Sequence, residues 1–467
     1  MFYYRRRAGT GGREAGAATG QRMGSLSFIH CADVHLGAPV RGSAKMPRGL
    51  RDRLRDAPAE AFAKIVGAAI HRQVDAVIVA GDLFDAADRN LRAHVRLRTE
   101  LARLDDANID CFVACGNHDP LGGLSGGVHL PDSVHVFGPK VGSQPIMRDN
   151  LEIARVYGVS YEKKAVRRNL AQEFPNRPDG PFNIAVLHAN VGDRESHGRY
   201  SPCKLRDLTD TRFDYWALGH VHTRETLNSR SPVVHYPGNP QALHTREPGP
   251  RGATLVQASD DGTVELEPIW TDVVRWHRHR TSIDDMTTID DLTADFEQIV
   301  GDVRLAAPNR INIVRWTLFG VGPLHPLLNS PGAEPDLRAA LRMQHGVRDE
   351  GNPVWLERID LATHPIRDVE RLRQQPDYLG DMLGLAGGLA AWRPRSPHAE
   401  VGEARKPVED PPAAAAVREA LSTLLDESRI VRALGDENAW DLLRFEELLH
   451  RAEARAVECL APAEVDT

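Results

Sequence analysis

The sequence predicts a layered α/β architecture, and three observations carry that expectation. Short apolar runs alternate with helix-periodic segments through the first 270 residues. The runs show little of the every-second-residue alternation of a half-exposed strand, so both faces of their sheet should be covered. Each run also leads directly into polar side chains able to bind a metal.

Taken in order, the first strand is SLSFIH (25–30), and Phe62, Ile65, Val66 and Ala69 then fall at i, i+3, i+4 and i+7, predicting an amphipathic helix over 58–71. DAVIVA (75–80) follows as a strand, Leu97, Leu101 and Leu104 mark a second helix, and DCFVAC (110–115), FNIAVL (182–187) and DYWALG (214–219) complete five buried strands. RGATLVQ and TVELEPIW, within 251–270, read as strands closing this domain. A smaller α+β unit comes next, with strands near 273–282, at 310–320 and at 354–361 and helices near 285–301 and 335–344. The organisation expected is therefore a disordered extension over 1–22, with Met23 an alternative start, a catalytic domain over 23–275, a cap over 276–395, a linker over 396–416 and a helical tail over 417–467.

Composition sets bounds. The chain has 467 residues, 41% of them hydrophobic, a size that fits two or three domains rather than one core. No apolar run approaches the roughly 18 residues that span a bilayer, and the Arg- and Gly-rich N-terminus lacks the apolar core of a secretory signal. Five cysteines without framework spacing point to a reducing, cytoplasmic setting, and Cys111 and Cys115 read as strand residues rather than a zinc pair. Net charge is −7, but 16 acidic and 8 basic residues lie after Ser396, leaving a near-neutral body of 50 basic and 49 acidic residues. Such a body is compatible with a polyanionic partner without demanding one.

Chemistry enters at the strand ends. The first strand leads into Asp33 and His35, the second into Gly81, Asp82 and Asp85, the third into Gly116, Asn117, His118 and Asp119. The fourth ends at His188, and the fifth runs into Gly219, His220 and His222. Loops beyond the carboxyl ends of parallel strands converge, so ligands spread over 190 residues can meet in one cleft. Two Asp, one Asn and four His suit a pair of divalent ions, with Mn²⁺ the first expectation and Fe²⁺ and Zn²⁺ alternatives, whereas Mg²⁺ or Ca²⁺ would draw nearly all oxygen donors. Two such ions about 4 Å apart bring a charge of +4 against −2 from the carboxylates, leaving room for a phosphodiester and a hydroxide. The three glycines let the backbone turn sharply beside the ions.

This ordered set, D-x-H, G-D-x-x-D, G-N-H-D, an isolated His and G-H-x-H, resembles the calcineurin-like metallophosphoesterases. The resemblance implies an α/β/β/α sandwich in which Asp33, His35, Asp82 and His222 hold one metal and Asp82, Asn117, His188 and His220 hold the other. His118 then matches the histidine that orients the phosphate and protonates the leaving oxygen. Within the family, FIHCADVHLGAPV, LPDSVHVFG (130–138) and the block from YWALGHVHTRE to REPGPRGATLV resemble SbcD-type DNA repair nucleases and especially their YhaO-type relatives. That narrower resemblance implies a DNA substrate, a cap over the cleft, an SbcC- or YhaN-like coiled-coil ATPase partner, and a homodimer as a further expectation. YPGNP (236–240) is expected to support the site through its backbone.

Other residues are read more plainly. Asp85 and Asp119 are expected in turns or behind the ligands, with Asp85 accepting from a ligand imidazole. His30 is most simply a satisfied core histidine. Arg194, Arg199 and Arg224 read as solvated charges, with phosphate contact the alternative. In the tail, Val417, Leu421, Leu424 and Val431, and then Leu442, Phe445, Leu449, Ala452 and Ala456, form two apolar stripes that either pack on their own domain or dock on a partner. Three functions remain open: a metal-dependent DNA nuclease, a phosphoesterase of small nucleotides or phosphoproteins, and a non-catalytic DNA-binding scaffold. The cap and tail favour the first, since a small substrate has no need of them, and the intact ligand set disfavours the last.

Overall fold

The computed structural model describes residues 25–38, 46–85, 91–121, 129–192, 200–345, 352–366, 369–376, 380, 381, 383 and 384. The expected extension 1–22, linker 396–416 and tail 417–467 lie outside the described residues, as do Arg194 and Arg199. Among the described residues no helix is long and apolar enough to cross a membrane.

Two compact units divide the chain. Among the described residues, the first comprises those of 25–280, 293–317 and 334–360, and the second those of 281–292, 318–333 and 361–384. The first unit is built on two six-stranded sheets. In chain order its elements are β1 (Leu26–Cys31), α1 (Arg48–Arg72), β2 (Ala76–Ala80), α2 (Leu91–Asp106), β3 (Asp110–Ala114), β4 (Val134–Val136), β5 (Gly142–Arg148) and β6 (Leu151–Gly158). There follow β7 (Asn183–His188), α3 (Leu205–Thr209), β8 (Tyr215–Gly219), β9 (Glu225–Asn228), β10 (Val233–Tyr236), β11 (Gly252–Ala258) and β12 (Val264–Trp270). One sheet runs β12-β11-β1-β2-β3-β4 and the other β5-β6-β7-β8-β10-β9. Strands β1 to β4 are mutually parallel, as are β6, β7, β8 and β10.

Three apolar layers hold this arrangement. Phe28, Ile78 and Phe112 from the first sheet meet Val156, Ile184 and Tyr215 from the second, filling the space between the sheets. On the first sheet's other face, Phe62, Ile65, Leu97 and Leu101 of the two long helices cover Ile29, Val77 and Val79. The second sheet's outer face is covered by Tyr161, Leu170, Phe174, Leu208 and Phe213. Among the described residues, only a 3₁₀ turn (Leu170–Glu173) and the five-residue α3 lend that layer regular structure. Fully burying each large apolar side chain stabilises the fold by about 1.5–3 kcal/mol.

Helix α1 begins ten residues before the expected 58 and runs through Pro58. The reason is a second buried stripe: Leu50, Leu54 and Ala57 pack with Trp276, Ile311, Ile313 and Trp355. Tertiary packing there outweighs the local cost of a proline within a helix. The helix stops at Gln73, which takes a left-handed conformation (φ 50°) and returns its N–H to the Ala69 and Ile70 carbonyls.

Five strands go beyond those expected: β4, β5, β6, β9 and β10. Three of them carry little periodic signal, since β4 has three residues, β5 contains Pro145 and has exposed positions, and β9 has four residues with none buried. β5, β9 and β4 are edge strands, which need less apolar character than central ones. Beyond 273 come β13 (Val274–Ser282), α4 (Ile289–Ala306), β14 (Ile311–Val321), α5 (His325–Leu328), α6 (Ala333–His345), β15 (Val354–His364) and α7 (Val369–Arg373). β13, β14 and β15 form a three-stranded sheet in that order.

The consequence for the site is geometric. The carboxyl ends of β1, β2 and β3 in one sheet, and of β7 and β8 in the other, all deliver their following loops to the same end of the sandwich. Loss of the layer between the sheets should therefore be felt globally. Phe112→Ala is expected to cost about 3–5 kcal/mol in urea unfolding, whereas the exposed Leu91→Ala should stay within about 0.5 kcal/mol. A loss below about 1 kcal/mol at Phe112 would contradict the packing described.

Candidate metal centre

The residues at the strand ends sit on unusual backbone. Asp33 (φ 54°), His35 (φ 50°), Asp82 (φ 54°) and His220 (φ 98°) all have positive φ, which costs a residue with a Cβ about 1–3 kcal/mol unless its surroundings enforce it. Here they do. The Asp33 N–H donates to the Gly81 carbonyl at 3.0 Å, His35 N–H to the Asp82 carbonyl at 3.0 Å and Leu36 N–H to the Leu83 carbonyl at 2.9 Å, lacing the first two loops together. The buried Asp119 ties the third loop in: Oδ1 accepts from Asp82 N–H (3.2 Å) and Gly116 N–H (2.7 Å), and Oδ2 from Leu83 N–H (2.7 Å). Asp119 therefore spends its oxygens on backbone and holds the loops rather than an ion. Both Asp33 oxygens accept from the His220 N–H, at 3.1 and 3.0 Å, which joins the fifth strand's loop to the first.

Glycines make room for the side chains. A Cβ at Gly81 would overlap the His188 ring, one at Gly116 would overlap Asp82 Oδ1, and one at Gly219 would collide with the Ala80 carbonyl. The close approach that these glycines permit is thus between loop backbone and ligand side chains.

Ligand-bearing atoms converge in three groups whose members lie within 4.8 Å of one another: Asp33, His35 and His222; Asp33, Asp82 and His188; and His35, Asp82 and His118. In the second group, His188 Nδ1–H donates to the Ala80 carbonyl at 2.9 Å, which turns Nε2 toward the other donors. That atom lies 3.0 Å from Asn117 Oδ1 and 3.4 Å from Asp82 Oδ2. In the first group, His222 Nδ1–H donates to Glu247 Oε1 at 2.6 Å, and its Nε2 is 3.2 Å from His35 Nε2 and 3.8 Å from Asp33 Oδ1. Lone pairs crowded like this in a buried place repel unless positive charge stands among them. The donor set fits two divalent cations, with Asp82, 3.4 Å from His188 and 4.0 Å from His35, standing between the groups. His220 stands at the edge of the second group, its ring 5.2 Å from that of His188.

Electrostatics agree with this reading. Burial works against the Asp82 carboxylate, but His188, His35 and His118 outweigh it and hold its pKa below the usual range. Burial likewise opposes charge on His188, yet Asp82 and Asp33 lift its pKa to about 9, so a proton occupies the place where a cation belongs. Burial raises Asp33 to about 6. Burial opposes the Glu247 charge as well, but its bond to His222 prevails and brings it to about 2.

His118 offers a nitrogen within 4.8 Å of the His35 and Asp82 ligand atoms, and its ring stands edge-on to His35 at 4.8 Å. Its backbone N–H donates to Asp82 Oδ1 at 2.8 Å, its Nδ1 faces Asp85 Oδ1 at 3.2 Å, and its side chain is 37% exposed, open to an approaching molecule. Asp85 thus stands behind the His118 imidazole. Arg224 departs from the solvated charge expected: its Nε and Nη2 are buried beside Tyr215 and His235. His30 is fully buried in the core, with Nδ1 2.9 Å from the Tyr215 hydroxyl. Cys111 lies on β3 and Cys115 just beyond it, both buried, and burial pushes the Cys111 thiol up to about 12.

Three supporting residues went unread. Glu247 orients His222, and is itself gripped by Asn239 Nδ2 at 3.0 Å and Leu243 N–H at 2.7 Å. Arg251 Nη1 donates to the His222 carbonyl at 2.5 Å and to Asn239 Oδ1 at 3.2 Å. The Tyr161 hydroxyl donates to the His188 carbonyl at 2.7 Å. A signal existed for Glu247, a lone carboxylate in the block that follows G-H-x-H, but its partner is 25 positions away and no local pattern names it.

A two-sheet sandwich with a dinuclear donor set at the strand ends defines a metallophosphoesterase. The chain belongs to the calcineurin-like metallophosphoesterase family. The family model described as "Calcineurin-like phosphoesterase" matches residues 26–224, and one described as "Metallophosphoesterase YhaO, middle domain" matches 276–364. The uncharacterized metallophosphoesterase YhaO of Bacillus subtilis is 34% identical over 341 residues, covering 72% of this chain and 82% of that protein. The DNA double-strand break repair protein Mre11 of Sulfurisphaera tokodaii is 27% identical over 247 residues, 51% of this chain and 61% of its own length. Mre11 of Halobacterium salinarum is 25% identical over 392 residues, 76% of this chain and 90% of its own.

Two outcomes follow for metal content. Asp82→Asn should lose both ions in elemental analysis, since Asp82 stands between the first two groups, and two tightly held ions in that variant would refute the assignment. Glu247→Gln should weaken Mn²⁺ binding about 10–100-fold by loosening His222. Because binding displaces the proton on His188, affinity in the native chain should rise with pH up to about 9, and a pH-independent titration would speak against His188 as a ligand.

Proposed function

We propose that the chain hydrolyses the phosphodiester backbone of DNA as an exonuclease or endonuclease in DNA repair. The carrying observation is the buried convergence of donor atoms, with the partly exposed His118 beside it. The similarity to proteins named for DNA double-strand break repair supports DNA as the substrate.

Asp33, His35, Asp82 and His222 would hold one ion, and Asp82, Asn117, His188 and His220 the other, with Mn²⁺ the preferred metal. When bound, the ions supply positive charge to the phosphoryl oxygens and a strong nucleophile from water near neutral pH. The protein's own residues do the rest. Asp119 keeps the second and third loops in register, Glu247 fixes the His222 tautomer, and the Asp82 carboxylate positions His118 through its backbone N–H. His118 directs Nδ1–H at Asp85, and protonated Nε2 is left to orient the phosphate and donate to the leaving oxygen.

The proposed partner is a coiled-coil ATPase engaged by the two apolar stripes of 417–460, on the tail whose composition does not favour DNA. Deleting 397–467 should abolish its pull-down while leaving hydrolysis of a small diester intact. Aggregation of the shortened chain would show that the stripes serve its own core.

The main test uses purified protein with Mn²⁺ on labelled duplex, single-stranded and hairpin DNA, alongside a chromogenic diester. DNA cleavage should fall steeply with salt while diester hydrolysis hardly changes. His118→Ala should keep its metal and lose a factor on the order of 10²–10⁴ in turnover. Efficient hydrolysis of a nucleotide without DNA cleavage would favour a small-substrate phosphoesterase instead.

A further inference from the structure

The segment that leaves β6 builds a cavity that none of the chemistry above uses. It has a volume of about 250 Å³, and its lining includes Ser160, Glu162, Lys163, Val166, Arg167 and Arg168. Three features set it apart from an ordinary run of surface charge.

The first is its attachment to the metal centre. Tyr161, next to Ser160 in the wall, donates to the carbonyl of the ligand residue His188, and its ring lies 5.6 Å from the imidazole. Its own N–H donates to the Cys115 carbonyl at 3.0 Å, two residues before Asn117. On the other side, the Val166 carbonyl accepts from Ser201 N–H at 2.7 Å, and the neighbouring Tyr200 presents its ring edge-on to His220 at 5.6 Å. The wall is therefore one residue removed from the surroundings of two ligand residues.

The second is charge. Lys163 and Arg167 are exposed and form no ion pair with an acidic group among the described residues, while Arg168 is taken by Glu173 at 2.7 Å. Glu162 offsets one positive charge, and Lys164 beside the wall adds another. The third is support: Val166 and Leu170 are buried, and Leu170 N–H donates to Ser201 Oγ at 3.2 Å, so the cationic side chains project from an anchored backbone.

We propose that this cavity is a subsite for a backbone phosphate of the substrate strand neighbouring the scissile one, with Lys163 and Arg167 as its cationic contacts. The assignment rests on the phosphodiester reading above and deepens it. Phosphate contacts of this kind set register and length preference without reading sequence. A substrate with a single phosphate fills the metal centre and leaves the cavity empty, whereas a polynucleotide engages both. The enzyme should therefore favour substrates longer than one nucleotide, by way of KM.

The test compares the full-length holoenzyme with Lys163→Ala/Arg167→Ala and with the charge-preserving Lys163→Arg, on a short single-stranded oligonucleotide and on bis-nitrophenyl phosphate with Mn²⁺. The double variant should raise KM for the oligonucleotide on the order of tenfold. It should also flatten the logarithmic salt dependence of kcat/KM by roughly 0.7 for each phosphate that is no longer neutralised. Its kinetics on the small diester should stay at the native level, and Lys163→Arg should retain the native KM. Oligonucleotide cleavage with unchanged KM and salt slope in the double variant would overturn the subsite and leave the nuclease reading standing. Equal loss on both substrates would mean that the residues merely support the fold around Tyr161, which also overturns it. If the native protein hydrolyses the diester but no oligonucleotide, the nuclease reading fails and the subsite fails with it.

Discussion

Much of this molecule depends on one constraint: electron-rich atoms have been brought together in a place that water scarcely reaches. Asp33, His35, Asp82 and Asn117 are each at most 3% exposed and His188 is fully buried, and their donor atoms converge on one another with only a few backbone N–H groups among them. In a folded chain of ordinary stability, of about 5–15 kcal/mol, such crowding cannot be left uncompensated. The backbone shows the same cost. Four residues held at positive φ keep that conformation only because cross-loop N–H bonds and the Asp119 carboxylate fix the loops around them. Metal binding and the strained loops are two sides of one arrangement, in which the sandwich supplies the rigidity and the cations remove the repulsion.

The sandwich is suited to that task. A single parallel sheet presents its strand ends along a line, whereas two sheets packed face to face present two lines opposite one another. Ligand residues from β1, β2 and β3 therefore meet those from β7 and β8 across the gap, and the glycines at 81, 116 and 219 keep the approach free of Cβ atoms. The layer of Phe28, Ile78, Phe112, Ile184 and Tyr215 sets that gap. Stability and chemistry are thus linked through packing between the sheets rather than through any single bond.

How far the sequence revealed this follows from how local each signal was. The five buried strands were legible because each is a dense apolar run ending in a polar motif, and their ranges fall within a residue or so of those observed. The candidate ligand residues were legible for the same reason, since each lies within four residues of its strand. Short edge strands such as β9 were not, because pairing at an edge asks little of side chains. Helix α1 was cut short at Pro58, a residue that normally begins or breaks a helix, and only contacts with Trp276 and Trp355 extend it. Glu247 and Tyr161 escaped because their roles exist only across the fold, 25 and 27 positions from the residues they hold.

The central claim is that the converging donors form one dinuclear site with Asp82 shared. Crystals grown with Mn²⁺ and measured on both sides of the manganese absorption edge test it most directly. Two anomalous peaks should appear, one among Asp33, His35 and His222 and the other among Asn117, His188 and His220, with Asp82 in contact with both. A single peak, or two peaks that Asp82 does not join, would contradict the account.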